Sequence, residues 1–110
     1  MQSGGLDMSA LLKQAQKMQD DMQKTQDELE KMEVEGSAGG GMVTVKANGK
    51  KKILSIKINP DAVDADDVED LEDLVMAAVN QAIDNADKLS SDELNKVMPK
   101  LPGGFKLPGF

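Results

Sequence analysis

The stretch GSAGGGMVTVKANGKKKILSIKINP, from Gly36 to Pro60, carries the strongest structural signals in the chain. Its first six residues, Gly36 to Gly41, predict a flexible turn, and apolar and polar residues then alternate from Val43 to Lys46. Asn48-Gly49 is the pair best suited to a two-residue type I′ turn between antiparallel strands. Because a second strand can run from Lys50 to Ile58, the stretch predicts a β-hairpin.

The turn position predicts the register of this hairpin. If Asn48-Gly49 is the loop, Val45 faces Lys52, Val43 faces Leu54, and Lys46 faces Lys51. One face of the hairpin is then apolar, so another element must pack on it. This face consists of Val43, Val45, Leu54, Ile56 and Ile58. The opposite face is mixed and consists of Met42, Thr44, Lys46, Lys51, Ile53, Ser55 and Lys57. A shorter strand is expected around Val34, before the hairpin.

A heptad seam precedes the hairpin. Its members recur with alternating spacings of four and three: Leu11, Ala15, Met18, Met22, Thr25, Leu29 and Met32. We predict one helix from about Met8 to Glu33, roughly 39 Å long at about 1.5 Å per residue, and ending near Gly36. Such a helix exceeds the width of a small domain, so we expect a second chain to meet it. The expected dimer seam is Leu11, Ala15, Met18, Met22, Leu29 and Met32; the alternative is a helix laid over its own sheet.

A second helical pattern follows the hairpin and supplies the cover for its apolar face. Its apolar positions are Val68, Leu71, Val75, Ala78, Val79, Ala82, Ile83 and Ala86. Asp66 followed by Glu69 resembles a capping box, and eight acids from Asp61 to Asp73 suit the positive end of a helix dipole. A metal site is the alternative reading of this acidic run, which lacks the glycine and the spacing of an EF-hand.

The C-terminal part predicts a short helix and a tail. Ser90 and Ser91 can begin a helix that runs to Met98 and stops at Pro99. Residues 99–110 are rich in proline and glycine, which predicts a flexible tail. Residues 1–98 are expected to form a single α-β-β-β-α domain of the α+β class.

The composition excludes several classes of protein. The 110 residues include no cysteine and no histidine, which removes disulfides, thiolate and histidine chemistry and cysteine-bound metals. No phosphate-binding loop motif, membrane span or signal peptide is present in the sequence, so we expect a cytoplasmic protein that is not an enzyme and has neither cofactor nor small-molecule substrate. The net charge is −7, from 20 acids and 13 bases, and every base is lysine.

Lysines cluster twice, and both clusters are candidate phosphate contacts. Lys17, Lys24 and Lys31 lie seven residues apart on the first helix, with Lys13 one turn earlier. Lys46, Lys50, Lys51 and Lys52 surround the predicted hairpin turn, with Lys57 further along the strand. Helix lysines also commonly solvate an outer face, and strand lysines block edge-to-edge aggregation, so these ordinary roles stay open.

The chain closely resembles the YbaB/EbfC family of bacterial nucleoid-associated proteins along nearly its whole length. The match is carried by KQAQKMQ (13–19), by the stretch from Glu35-Gly36 to Asn59-Pro60, by LEDLVMAAVNQA (71–82) and by the ending from Pro102 to Pro108. The resemblance implies an α-β-β-β-α homodimer whose long helices project like tweezers, binding to double-stranded DNA, and a part in nucleoid organisation or gene regulation.

The resemblance also implies which lysines contact DNA. In the family, the projecting helices are the proposed DNA-contacting elements. The lysines at the corresponding places in this chain are Lys13, Lys17, Lys24, Lys31 and, near the C-terminal helix, Lys96. The hairpin lysines Lys50, Lys51 and Lys52 are a second candidate surface. Because the chain has no arginine, bidentate contacts to phosphate and guanine are missing, and only a weak sequence preference is expected.

A function without DNA is the alternative. The acidic surface and the methionine-rich seam are also typical of a protein-interaction module that receives partner helices.

Overall fold

The computed structural model describes residues 8–97, and within them it has two helices and one antiparallel sheet. The elements are α1 (Met8–Lys31), β1 (Glu33–Ala38), β2 (Val43–Asn48), β3 (Ile53–Ile58) and α2 (Val68–Val97), with a short 3-10 helix (Pro60–Ala62) before α2. The strands lie in the order β1-β2-β3. The α+β class and the three-stranded antiparallel sheet are confirmed. The predicted tail, residues 99–110, lies outside the described residues.

The first helix ends earlier than predicted, and the glycine run is only partly a turn. Gly36 lies inside β1, opposite Val45, and the turn is confined to residues 39–42. Gly39, Gly40 and Gly41 adopt φ values of 65°, 65° and 93°, which glycine tolerates and other residues rarely adopt. Glu33 begins β1 instead of ending α1.

The predicted register of the hairpin is wrong. Val43 pairs with Ile58 and Val45 with Ile56, and the loop has four residues, 49–52, with a register shift after Lys46. The side chain of Asn48 accepts hydrogen bonds from the N–H groups of Lys50 (2.9 Å) and Lys52 (3.0 Å). These bonds stabilise a wider loop, in which Lys51 has a φ of 68°.

The core lies between α2 and the first two strands. Val43, Val45, Ala47, Ala78 and Ala82 are fully buried there. A Cβ atom at Gly36 would lie 2.3 Å from the Ala82 nitrogen and 2.5 Å from the Ala78 oxygen, so the two backbones meet without a side chain between them. The small side chains on α2 permit this close approach, which buries the central strand.

The sheet is covered over only part of its width, contrary to expectation. Leu54, Ile56 and Ile58 remain 45%, 45% and 40% exposed, because α2 packs mainly on β1 and β2. Ile53, predicted to lie on the mixed face, is half-buried and packs against the core. The irregularity between β2 and β3 changes which residues of β3 point inward.

The second helix is one continuous element, so the predicted separate helix from Ser90 to Met98 is wrong. No glycine or proline interrupts residues 68–97, and α2 packs on α1 as well as on the sheet. At the N-terminus, Asp67 accepts the Asp70 N–H at 3.2 Å, so Asp67 caps α2 in place of the predicted Asp66.

We predict that Gly36→Ala lowers the free energy of unfolding by about 3 kcal/mol or more, because the added Cβ meets backbone atoms that cannot move alone. Gly40→Ala is the matched control: its Cβ would meet nothing within 4 Å, and only its positive φ should cost about 1 kcal/mol. Urea unfolding of both variants gives the comparison. Equal losses would contradict the packing argument.

Candidate nucleic-acid interface

The four lysines of α1 form one exposed stripe. Lys13, Lys17, Lys24 and Lys31 recur at spacings of four and seven, which places them on one side of the helix, and each is exposed. Within residues 8–97, none of the four takes part in a salt bridge. Their ammonium groups are therefore free to contact an anion.

Charge is unevenly distributed along this stripe. Residues 8–19 contain Lys13 and Lys17 and no acid. Residues 20–31 contain Lys24 and Lys31 together with five acids: Asp20, Asp21, Asp27, Glu28 and Glu30. Because charges are screened over about 8 Å at physiological salt, the local balance matters, and the outer half of α1 is the electropositive half.

The outer part of α1 also stands clear of the other helices and strands that the structure describes. Every residue from Met8 to Lys17 is exposed, whereas Met18 and Met22 are half-buried and Thr25 and Leu29 are buried. The ten exposed residues extend about 15 Å at about 1.5 Å per residue. We call residues 8–17 the arm. It presents its lysines to solvent on a regular helix.

The six residues of the predicted seam differ in exposure in this structure. Leu11 and Ala15, on the arm, are exposed, and Met18, Met22 and Met32 are half-buried. Leu29 is fully buried within the single chain, where Gly49 packs directly against it. The inner end of the seam is thus used to hold α1 to the sheet. The dimer seam itself stays a prediction.

The loop between β2 and β3, residues 49–52, is the second lysine cluster, and it is tied to the base of α1. The Gly49 N–H is within hydrogen-bond distance of the carbonyl oxygens of Leu29 (2.9 Å) and Met32 (3.1 Å). The side chain of Asn48, which is buried, donates to the Glu30 carbonyl oxygen at 3.2 Å. The loop lysines therefore lie next to Lys31, at the inner end of the stripe.

The three loop lysines differ in their partners. Lys51 forms a salt bridge to Asp87 of α2, with 2.9 Å between nitrogen and oxygen, and both side chains are largely exposed. Lys50 and Lys52 are exposed and have no acidic partner within the part of the chain that the structure describes. Lys50 and Lys52 are therefore better placed than Lys51 to contact an anion.

Two other lysines are paired. Lys46 lies on the face of the sheet opposite α2, with its nitrogen 4.0 Å from an oxygen of Glu33. Near the end of α2, the Lys96 ammonium group donates a hydrogen bond to the Glu93 carboxylate, and this bond and the negative charge of Glu93 raise the pKa of Lys96. Lys96 was predicted as a DNA contact, and the structure places it beside this carboxylate.

The acidic run lies at the other end of the sheet. β3 leads from the lysine loop to Pro60, and α2 begins beyond it, with Leu74 packed beside Gly39. Between Lys57 and Lys88 the sequence has acids and no base. Within residues 8–97, no three acids are grouped so that they could hold a metal ion. A polyanion is therefore repelled from this end of the sheet.

Sequence reasoning missed two residues of this region. Asn48 was interpreted only as a turn residue, and Asp87 was assigned no role. The bond from Asn48 to Glu30 joins residues 18 positions apart, and the Lys51–Asp87 pair joins residues still further apart. No local sequence pattern predicts such long-range contacts. The three consecutive lysines after Asn48-Gly49 do indicate the position of the loop.

We expect Asn48→Ala to lower the free energy of unfolding by about 2–3 kcal/mol, since it removes partners from two backbone N–H groups and one carbonyl. Asn59→Ala is the control, because the exposed Asn59 side chain accepts one bond, from the Asp61 N–H at 2.9 Å. It should cost less than about 1 kcal/mol. Thermal unfolding followed by circular dichroism measures both, and a loss for Asn48→Ala no larger than for Asn59→Ala would refute the role of this side chain.

A search of the described helices finds none that is both long and apolar enough to span a membrane.

Known proteins resemble this chain along nearly its whole length. Residues 3–101 match the family model described as the YbaB/EbfC DNA-binding family. A nucleoid-associated protein of Clostridium novyi is 59% identical over 107 residues, which cover 97% of this chain and 90% of that protein. A nucleoid-associated protein of Caldanaerobacter subterraneus is 53% identical over 107 residues, which cover 97% of this chain and 93% of that protein.

A solved structure has the same fold. The crystal structure of an uncharacterized protein from Helicobacter pylori aligns with a TM-score of 0.72 and 20% sequence identity. The alignment covers 83% of this chain and 96% of that chain. At this identity the likeness concerns the arrangement of helices and strands.

Proposed function

The chain belongs to the YbaB/EbfC DNA-binding family, which is not a family of enzymes, and from this premise we propose that it grips double-stranded DNA as a homodimer through the lysines of α1. The observation that carries the proposal is the arm: Lys13 and Lys17 lie on an exposed helix, unpaired, with no acid among residues 8–19. A protein with a net charge of −7 thus offers a polyanion a local electropositive surface.

Phosphate contact is the chemistry that this surface supports. Lysine acts as a mobile point charge toward phosphate oxygens, whereas the rigid, planar guanidinium of arginine is the group best suited to bidentate contacts with guanine. The chain has no arginine, and four lysines of α1 lie on one side of the helix. We therefore propose binding with weak sequence preference. Lys50 and Lys52, at the base of α1, extend the contact along the duplex.

Dimerisation raises the affinity for DNA. One arm carries only two lysines, and two such contacts give little affinity at physiological salt. A dimer doubles the number and holds both arms on one duplex, so the second contact forms without a further loss of translational freedom. The cellular role that follows is organisation of the nucleoid and regulation of genes within it, in the cytoplasm.

We predict that binding to a random-sequence duplex weakens steeply with salt. If the dimer neutralises about six phosphates, log K falls with log salt at a slope near −5, and a fourfold rise in salt weakens binding roughly a thousandfold. Fluorescence anisotropy with the pure chain measures the slope. An affinity that does not change with salt would contradict contact through phosphates.

The arm lysines can be tested by a pair of charge-matched variants. Lys13→Gln with Lys17→Gln should reduce the salt slope by roughly 3 to 4, because a dimer loses four phosphate contacts. Lys46→Gln with Lys57→Gln removes the same charge from the face of the sheet opposite α2, and should leave the slope nearly unchanged. Gel shift and anisotropy at several salt concentrations report both.

The same pair of variants tests the alternative function. If the arm variant stays dimeric and retains DNA like the unmodified chain, the arm is not the DNA-binding surface. That result would favour the acidic protein-interaction module, which receives partner helices and needs no DNA.

A further inference from the structure

The sequence contains one asparagine–glycine pair, Asn48-Gly49, and the structure places it at the junction between α1 and the loop of residues 49–52. In such a pair the backbone nitrogen of the glycine can attack the side-chain carbon Cγ of the asparagine, because glycine has no side chain to hinder the approach. Ammonia then leaves, and water opens the resulting succinimide ring to aspartate or isoaspartate. The reacting groups are therefore the Gly49 N–H and the Asn48 side-chain amide.

The end of α1 occupies both groups. The Gly49 N–H donates to the carbonyl oxygens of Leu29 at 2.9 Å and Met32 at 3.1 Å. The leaving group, Asn48 Nδ2, donates to the Glu30 carbonyl oxygen at 3.2 Å. The proton that must leave Gly49 is thus held by two carbonyl oxygens, which also disfavour negative charge on the nitrogen. While the end of α1 lies on the loop, the attack is blocked.

The loop itself acts in the opposite sense. Asn48 Oδ1 accepts hydrogen bonds from the N–H groups of Lys50 at 2.9 Å and Lys52 at 3.0 Å. Negative charge develops on this oxygen when the Gly49 nitrogen bonds to Cγ, and two N–H donors stabilise such an oxyanion. Neither bond involves α1, so both can persist when the helix end separates. An open junction with an intact loop is therefore the reactive state.

Packing at the junction requires the residue that makes the pair reactive. A Cβ atom at Gly49 would lie 2.7 Å from the Leu29 carbonyl oxygen and 2.8 Å from Leu29 Cδ2, so a larger residue does not fit. The amide of Asn48 is required as well, because it accepts from the loop and donates to Glu30 at once. The contacts that hold α1 to the loop thus depend on this pair.

We propose that Asn48 is a modification site, where the chain deamidates itself when the end of α1 separates from the loop. The Gly49 N–H proton goes to hydroxide, and a bond from the Gly49 nitrogen to Cγ replaces the bond from Cγ to Nδ2. Nδ2 takes up a proton from water and leaves as ammonia, and a second water molecule opens the ring. Because local opening and closing are fast compared with this chemistry, the rate follows the equilibrium population of the open junction.

The product cannot restore the junction. An aspartate at position 48 places a carboxylate oxygen against the carbonyl oxygen of Glu30, at a site where Asn48 is only 3% exposed. An isoaspartate also adds a methylene group to the backbone of the loop. Deamidation therefore leaves the end of α1 detached and adds a negative charge beside Lys50 and Lys52. This consequence rests on the proposed function, since it separates the lysine stripe of α1 from the lysines of the loop.

The first test compares the rate of Asn48 deamidation in the native full chain and in the same chain unfolded by urea, at one alkaline pH, by mass spectrometry of the peptide that contains it. We expect the native chain to react at least about a hundredfold more slowly. Hydrogen exchange of the Gly49 N–H should be slowed by the same factor or more, because it needs the same opening. Equal rates in the native and unfolded chains overturn the proposal, and so does deamidation slowed far more than exchange.

Leu29→Ala separates detachment of α1 from global unfolding. It removes the side chain that packs on Gly49 and should speed deamidation roughly tenfold or more. Gly36→Ala is the matched control, because it loosens the contact between β1 and α2 and should leave the rate nearly unchanged while circular dichroism shows a folded chain. Equal acceleration in both variants overturns the proposal. If Leu29→Ala does not fold, Leu29→Val takes its place.

Asn48→Asp reproduces the product without the reaction. It should unfold at a lower urea concentration and bind a DNA duplex more weakly than the unmodified chain. Asn59→Asp is the matched control, since it adds the same charge at an exposed side chain that accepts one bond, from the Asp61 N–H. Equal stability of the two variants overturns the claim that the product cannot restore the junction. If the unmodified chain does not bind DNA, the proposed function fails, while the deamidation rates still decide the modification.

Discussion

The backbone of α2 meets the backbone of β1 at Gly36 with no side chain between them, and the arrangement of the domain depends on this contact. Ala78 and Ala82 keep the helix surface flat there, and hydrogen bonds of Gln81 and Asn85 with the β1 backbone hold it at the β1 edge. One 30-residue helix thus covers the inward-facing residues Val43, Val45 and Ala47 of the central strand and leaves the third strand half covered. Close packing at one edge and exposed apolar residues at the other are two results of the same helix position.

The junction at Asn48 and Gly49 holds the end of α1 to the sheet. Leu29 packs against Gly49, and the buried amide of Asn48 joins the end of α1 to the loop that carries three lysines. The loop lysines and the acidic start of α2 lie at opposite ends of the sheet. A chain with a net charge of −7 can therefore keep its acidic run away from the lysines of α1, so that the outer half of α1 stays electropositive.

Much of this architecture could be predicted, and the failures have specific physical causes. The helical periods on both sides of the hairpin and the alternation from Val43 to Lys46 are local, so they predicted both helices and the sheet. The register failed because Asn48 bonds to its own loop and to Glu30, which favours four loop residues over two. The second helix was divided at Ser90 because serine is a common N-cap, but packing on α1 keeps it continuous.

The sequence by itself determined the class of the fold, the absence of cysteine and histidine chemistry, and the lysine stripe on α1, because composition and periodicity are properties of neighbouring residues. Only the tertiary structure decided which lysines are free and which are paired to Asp87 or Glu93, and which apolar residues of the hairpin are covered. The pairing of the lysines and the burial of the hairpin residues depend on where α2 lies on the sheet. That position is set by contacts between residues about 40 to 50 positions apart in sequence, such as Ser37 with Gln81 and Glu35 with Asn85.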